Sequence, residues 1–365
     1  MQISFASRVH GCLMGGALGD AFGYLVEFDD TATIKRRFGP AGLLDLFQAA
    51  GPVEFSDDTQ LTLYTVDGLA EALEWAQQGV PADPTACLWL AYLRWLRSQG
   101  ESPVLDSAPV PPLRWIDSQA VLQQQRHPGK ACLNSLKTGE MGTLFRPIDP
   151  EAKGCGSVMR SAPFGLIGHL EPATVAKMSM NGAALTHGHP VAIQASAGFS
   201  WLIHQLAVAQ LPLDAAVASM LGYLRELPAE PDLLDRIETA VALGSAERHS
   251  PDRQLRGDEL CAAVGAGWVA DEALAVAVYA VLASSDPAAG PSEHFRAAIR
   301  IAANHPGDSD STASIAGNIL GAYYGMAGLP EDWLRVAEAP ELIQAMADLL
   351  LRSSGLEPAA DGARD

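Results

Sequence analysis

Apolar residues recur every three or four positions along much of this chain, the spacing that gathers them on one face of an α-helix. "LTLYTVDGLAEALEWAQQG" (Leu61–Gly79), "ACLWLAYLRWLRSQG" (Ala86–Gly100) and "ELIQAMADLLLRSS" (Glu341–Ser354) carry the pattern, and glycines close the first two. The stretch "GHLEPATVAKMSMNGAALTHGHPVAIQASAGFSWLIHQLAVAQ" predicts two helices broken at Gly188–Pro190. Alternating β-branched runs, the mark of strands, are scarce. The pattern therefore predicts an all-α fold.

Two of the expected helices carry a stripe without side chains. Gly11, Gly15, Gly19 and Gly23 recur at every fourth position, as do Ala313, Gly317, Gly321 and Gly325. With about 3.6 residues per turn, each set lies along one helix face. Every glycine costs roughly 1 kcal/mol of helix propensity, so a compensating gain is expected. Close approach by another helix backbone would supply it.

The region Glu101–Lys153 breaks the pattern. "ESPVLDSAPVPPLRW" is proline-rich and "RHPGKACLNSLKTGEMG" is polar and rich in turn formers. It is long for a loop in a compact domain, so it is expected to be partly helical or to cover a site. The tail at 355–365, "GLEPAADGARD", is expected to fray.

Composition narrows the function. The chain has 365 residues, 48% of them hydrophobic, enough for a large core, and length alone suggests about two domains. A formal charge of −19 disfavours general binding to nucleic acid or anionic membrane, which calls for basic patches. No window approaches the ~18 apolar residues of a membrane span. The start, "MQISFASRVHGCLMGG", lacks the basic residues and apolar run of a signal peptide. Cys12, Cys87, Cys132, Cys155 and Cys261 are scattered with no C-x-x-C pair, which predicts reduced thiols in a cytoplasmic protein. A monomer is expected.

Candidate chemistry sits at two predicted helix starts. Ser56-Asp57-Asp58-Thr59 and Asp308-Ser309-Asp310-Ser311-Thr312 repeat the same acids and hydroxyls. One reading is capping, in which a side-chain oxygen accepts a free N–H of the first turn. Capping explains one oxygen per site, and leaves adjacent carboxylates flanked by hydroxyls unexplained. The other reading is a pair of hard cations, Mg²⁺ or Mn²⁺, which prefer oxygen donors. If both clusters serve one site, the two ends of the chain meet. A single helical domain over 1–354 then replaces the two-domain expectation.

Two further stretches invite a ligand. "KGCGSVMRSAPFG" (Lys153–Gly165) places glycines where backbone N–H groups can approach an anion, without matching G-x-x-x-x-G-K-[ST] or G-x-G-x-x-G. "THGHP" (Thr186–Pro190) offers His187 and His189 without H-E-x-x-H. Each also has a structural reading, as a turn or a packed side chain.

The blocks "GCLMGGALGDAFGYLVEF", "FSDDTQLTLYTVDGL", "RHPGKACLNSL", "KGCGSVMRSAPFGL", "THGHP" and "GDSDSTASIAGNILGAYYG" occur in the order and rough spacing of the ADP-ribosylglycohydrolase family. The chain resembles that family from about Arg8 to Gly328. The resemblance implies a compact orthogonal helical bundle with a dinuclear Mg²⁺ site, Mn²⁺ being an alternative. It implies Ser56, Asp57, Asp58, Asp308, Asp310 and Ser311 as ligands, with Ser311 standing where the family usually has threonine. Glu27 resembles the acid that contacts the metal or its water. Gly154, Cys155, Gly156, Ser157, Val158 and Met159 resemble the loop that holds the diphosphate and distal ribose, and His187 a residue near the bound ADP-ribose.

The implied activity is hydrolysis at the anomeric carbon of an ADP-ribosyl group, through an oxocarbenium-like transition state. Glu27, or a metal-shell aspartate such as Asp58 or Asp310, would act as general base. The implied partner is an ADP-ribosylated protein, most simply one modified on arginine, or a small-molecule ADP-ribose conjugate. Serine, nucleic-acid bases and O-acetyl-ADP-ribose are open as acceptors, and no acid for the leaving group is identified. Three rival functions share parts of this chemistry. A prenyl-diphosphate enzyme would want an aspartate where Leu61 follows Asp58. A two-metal phosphohydrolase would release phosphate in place of intact ADP-ribose, and a non-catalytic ADP-ribose-binding protein would turn nothing over.

Overall fold

The computed structural model describes residues 3–356 apart from 229, 249 and 287. The all-α expectation holds: no β-strand occurs among the described residues, only isolated bridges at Thr143–Arg146 and Gly154–Val269. From residue 357 onward the tail expected to fray lies outside the described residues; Gly355 and Leu356 close the last helix through bonds to Arg352 and Leu351.

The first third contains α1 (Phe5–Tyr24), α2 (Thr31–Phe38), α3 (Asp57–Gln77), α4 (Pro84–Ser98) and α5 (Lys130–Lys137). The middle contains α6 (Ala162–Gly165), α7 (Pro172–Ala184), α8 (Pro190–Ala207), α9 (Leu213–Glu226) and α10 (Pro231–Glu247). The last third contains α11 (Gly257–Val264), α12 (Ala270–Ala283), α13 (Pro291–Ala303), α14 (Ser309–Tyr324), α15 (Glu331–Leu334) and α16 (Pro340–Ser353). The three helices expected from periodicity are α3, α4 and α16. Gly79 and Gly100 close α3 and α4 with φ of +74° and +76°, which a side chain would resist. The break expected at Gly188–Pro190 separates α7 from α8.

After its acidic first turn, helix α12 is buried on all sides from Ala273 to Ala283, packed by α8, α10, α13 and α14. One connected apolar core runs from Val9 on α1 to Leu351 on α16.

The two glycine stripes meet each other. A Cβ on Gly11 would overlap Gly321 O, one on Gly15 would overlap Gly317 O, one on Gly19 Ala313 O, and one on Gly23 Ser309 O. The pairing order is reversed along the two helices, so α1 and α14 run antiparallel with their backbones in contact. Asn318 Nδ2 donates to Cys12 O at 2.8 Å and locks the register. This contact offsets the helix propensity that the glycines give up. It also brings the end of α1 to the beginning of α14.

The Glu101–Lys153 region is partly helical, with single turns at Trp115–Ser118 and Ala120–Gln123 before α5. It is fastened to α3 and α4 by ion pairs. Arg94, almost fully buried, pairs with Asp67 and Asp117, and Arg114 reaches Asp67 at 2.8 Å and Glu74 at 3.0 Å. Tyr64 Oη adds a bond to Asp117 at 3.1 Å. No helix of the described residues is long and apolar enough to cross a membrane.

Candidate active site

The α1–α14 seam ends where Asp308 and Asp310 begin α14. Gly307 sits so close to Ala266 O that a Cβ would overlap it, and Asp308 N donates to the same carbonyl at 2.9 Å. Asp308 occupies the N-cap position but makes no side-chain cap bond. Its Oδ2 accepts from Cys155 Sγ at 2.8 Å instead. Capping therefore does not account for Asp308.

The beginning of α3 is arranged differently. Ser56 is a true N-cap, with Oγ accepting from Asp58 N at 3.2 Å. Asp20 on α1 adds a second cap, one that the local sequence around α3 does not reveal. Its carboxylate accepts from Ser56 N at 2.9 Å, Thr59 N at 3.0 Å and Thr59 Oγ1 at 2.5 Å. Asp57 and Asp58 are thereby released from capping. Asp57 Oδ2 accepts from Gly129 N at 3.1 Å, and Asp58 Oδ2 accepts from Ser311 Oγ at 2.8 Å. That last bond joins α3 to α14 directly.

The two clusters thus share one cavity of about 620 Å³, lined by Glu27, Asp57, Asp58, Asp308, Asp310 and Ser311. Gly154, Cys155, Gly156, Met159 and His187 line it too, and Phe28, His127 and Trp268 stand at its edge. Ser56 lies just behind, its hydroxyl turned to Asp310. Ser157 and Val158 do not line it: Ser157 Oγ accepts from Ser196 Oγ at 3.1 Å, and Val158 packs into the core. Thr312 also turns away, donating to Ala302 O at 2.7 Å, so Ser311 is the hydroxyl that faces the carboxylates.

Crowding of like charges dominates the electrostatics. Burial first, then Asp310, raises Asp58 well above the usual carboxylate range. Burial and Asp308 do the same to Asp310. Asp57 is raised mainly by burial, and Asp20 is pushed up to about 7 by burial and Asp310. Glu27 is pushed up to about 10 by burial, then by Asp310, Asp308 and Asp57. Its Oε2 is buried with no hydrogen-bond partner among the described residues. No group of three or more His, Cys, Asp or Glu side chains that could hold a metal ion stands assembled among the described residues. The donor chemistry nevertheless suits a hard cation: carboxylates, hydroxyls and one orphaned carboxylate oxygen, with Cys155 the soft exception.

The wall beside Asp308 is formed by the glycine loop. Gly154 bridges Val269, and Cys155 N donates to Trp268 O at 3.3 Å, so the glycine loop is clamped to the start of α12. A Cβ on Gly156 would press within 2.9 Å of the His187 ring, so glycine is what lets loop and imidazole sit together. Arg160 Nη2 donates to Thr186 Oγ1 at 2.6 Å, and Thr186 Oγ1 lies 2.8 Å from His187 Nδ1. Burial and Arg160 lower His187 to about 3, so the ring is neutral. With Thr186 able to donate to Nδ1, the ring proton is assigned to Nε2, on the side of the glycine loop.

Comparison with known proteins adds a family to this geometry. A family model described as ADP-ribosylglycohydrolase matches residues 1–359. The ADP-ribosylhydrolase ARH3 of Danio rerio is 26% identical over 375 residues, covering 95% of this chain and 92% of that protein. The ADP-ribosylarginine hydrolase Tri1 of Pseudomonas putida (strain GB-1) is 28% identical over 351 residues, covering 94% of this chain and 77% of that protein. A solved structure, an ADP-ribosylglycohydrolase-related protein complex, aligns with a TM-score of 0.62 at 25% identity, over 96% of this chain and 99% of that one.

Proposed function

The chain belongs to the ADP-ribosylglycohydrolase family, and from that premise we propose that it is a Mg²⁺-dependent hydrolase that releases ADP-ribose from modified arginine. Hydrolysis of an ADP-ribose linkage is what the family membership supports. The arginine acceptor is supported by the likeness to Tri1, a named ADP-ribosylarginine hydrolase. The likeness to ARH3 keeps other linkages in the test. One observation carries the reading: aspartate pairs from the two ends of the chain open into one cavity, beside a glycine loop backed by a neutral imidazole.

In this proposal Ser56, Asp57, Asp58, Asp308, Asp310 and Ser311 hold two Mg²⁺, with Mn²⁺ as an alternative. What the cations supply is positive charge that offsets the crowded carboxylates and polarises oxygen-bearing ligands. Glu27 then serves as general base toward water, as its unpaired oxygen suggests. Asp58 and Asp310 are the alternative bases. Gly154, Cys155 and Gly156 present backbone to the diphosphate, while His187 offers a neutral donor from behind the loop. Met159 supplies an apolar floor. Ser157 and Val158 act through the loop's shape. The free thiols of the described cysteines suit a reducing, cytoplasmic setting.

The test is a panel of ADP-ribosylated arginine peptide, serine peptide, nucleic acid and O-acetyl-ADP-ribose, incubated with Mg²⁺ or with chelator. Free ADP-ribose is expected from the arginine conjugate, with Mg²⁺ only. Release from none of the four would sink the reading. Equal release in chelator would remove the metal from it.

A further inference from the structure

The cavity has a base and an anion wall but no assigned proton donor for the departing group. Cys155 is engaged with Asp308, and His187 is buried behind the glycine loop. One residue on the cavity edge has no assigned purpose. His127 lies on the segment Arg126–Gly129, which is fastened on both sides to a site aspartate: Asp57 N donates to Arg126 O at 3.2 Å, and Gly129 N donates to Asp57 Oδ2 at 3.1 Å. The Arg126 guanidinium anchors the segment further, donating to Phe55 O at 2.7 Å and to both oxygens of Glu338 at 2.9 and 3.0 Å.

Within this frame His127 adopts φ of +53°, a left-handed backbone that few residues other than glycine take. Such outliers persist where the surroundings over-determine them, and they gather at functional sites. The backbone turn sets the imidazole at the rim, where Tyr24 Oη lies 2.7 Å from Nδ1 and Phe28 meets the ring edge-on at 5.1 Å. Burial and Glu27 push the Tyr24 hydroxyl up to about 12, so it stays a neutral hydroxyl whose oxygen can accept from Nδ1–H of the doubly protonated ring. That leaves Nε2 as the nitrogen that carries and exchanges a proton. Tyr24 from α1 and Phe28 from the segment after it touch the ring, and Glu27, Asp57 and Lys130 line the same cavity.

We propose that His127 is the catalytic acid that protonates the leaving group, oriented by Tyr24. The inference rests on the hydrolase reading. In the step, the bond from the anomeric carbon to the acceptor atom breaks with its electron pair on the acceptor, and Nε2–H of the His127 imidazolium supplies the proton there, leaving a neutral ring whose Nδ1–H stays on Tyr24 Oη. Water forms the new bond to the anomeric carbon and gives one proton to Glu27. Glu27 releases that proton to solvent and His127 regains one, so a single water is consumed.

The experiment compares two substrates with Mg²⁺ present: an ADP-ribosylated arginine peptide, whose guanidine must gain a proton, and an ADP-ribose bearing 4-nitrophenol at the same carbon, which departs as an anion. The variant is His127→Asn, because asparagine tolerates the left-handed backbone. Expected is a fall in kcat of about 100-fold or more on the arginine conjugate, and a change within about threefold on the nitrophenyl compound. Tyr24→Phe should give a smaller fall of the same selectivity. Lys130→Met, which removes a charged proton donor from the rim, should change the two rates by the same factor. Equal losses on the two substrates, no loss on either, or the selective loss appearing in Lys130→Met instead would overturn the assignment. A wild type that cleaves neither substrate would overturn the hydrolase reading and this one together.

Discussion

The starts of α3 and α14 look interchangeable as strings of residues and behave differently as structure. At α3, capping is done by Ser56 and, from another helix, by Asp20, which leaves Asp57 and Asp58 free to face the cavity. At α14, the backbone does the anchoring, through Asp308 N to Ala266 O and Thr312 N to Asp308 O, so even the N-cap aspartate turns inward. The lesson is a division of labour. The carboxylates that face the cavity are kept free of capping, and the two ends reach that by different means.

The sharpest way to test that separation is to remove the cavity-facing carboxylates. Asp58→Asn and Asp310→Asn should each lower kcat by about 10³-fold, the scale of losing a group that stabilises the transition state. Each should also abolish any rise in melting temperature produced by Mg²⁺, while the metal-free protein holds or gains stability through relief of repulsion. A metal-free protein that unfolds more easily in these variants would show the aspartates to be structural.

A smaller effect is expected from the seam that brings the clusters together. Gly19→Ala and Gly23→Ala place a methyl against Ala313 O and Ser309 O. Overpacking of this kind costs about 1–3 kcal/mol. Denaturant titration should report that loss, and Gly23→Ala should weaken Mg²⁺ binding more, since it displaces the residues next to Asp310.

Asp20→Ala tests the capping half of the comparison. It strips the acceptor from Ser56 N and Thr59 N, at about 1–3 kcal/mol for buried donors left unpaired. The loss should be the same with and without Mg²⁺. A loss confined to the Mg²⁺-bound protein would make Asp20 a ligand.

The smallest signal is the pH dependence of the metal-free protein. Asp20 and Glu27 are raised in the fold, to about 7 and about 10. A carboxyl raised on folding contributes stability that is present below its unfolded value near 4 and is lost as pH rises through the folded value. Melting temperature in chelator should therefore drift down between about pH 5 and 9, and Mg²⁺ should flatten the drift. A rise over that range would contradict the crowded-charge picture.

Helix identity was legible because periodicity and closing glycines are local: α3, α4 and α16 follow from the spacing of their own apolar residues. The stripes at Gly11–Gly23 and Ala313–Gly325 were legible as surfaces, but not as partners, because nothing local says which stripe meets which. The aspartates of both clusters were visible through their repetition. Asp20 was not, since one acid at the end of a glycine stripe looks like any solvent-facing residue until α3 is packed on it. Ser157 and Val158 show the opposite failure. They sit inside a glycine turn that faces the cavity, yet their side chains point at α8 and the core, a direction set by tertiary packing. His127 gave no signal within its block, because its left-handed backbone and its tyrosine partner exist only in three dimensions.

Since α1 is sealed along α14, the cavity is a late product of synthesis. Nearly the whole polypeptide must leave the ribosome before Asp58 can meet Ser311, 253 residues away, or Asn318 can meet Cys12, 306 residues away, the kind of distant contact that slows folding. A nascent or truncated chain ending before α14 would carry one half of the acidic cluster and no enclosed chamber.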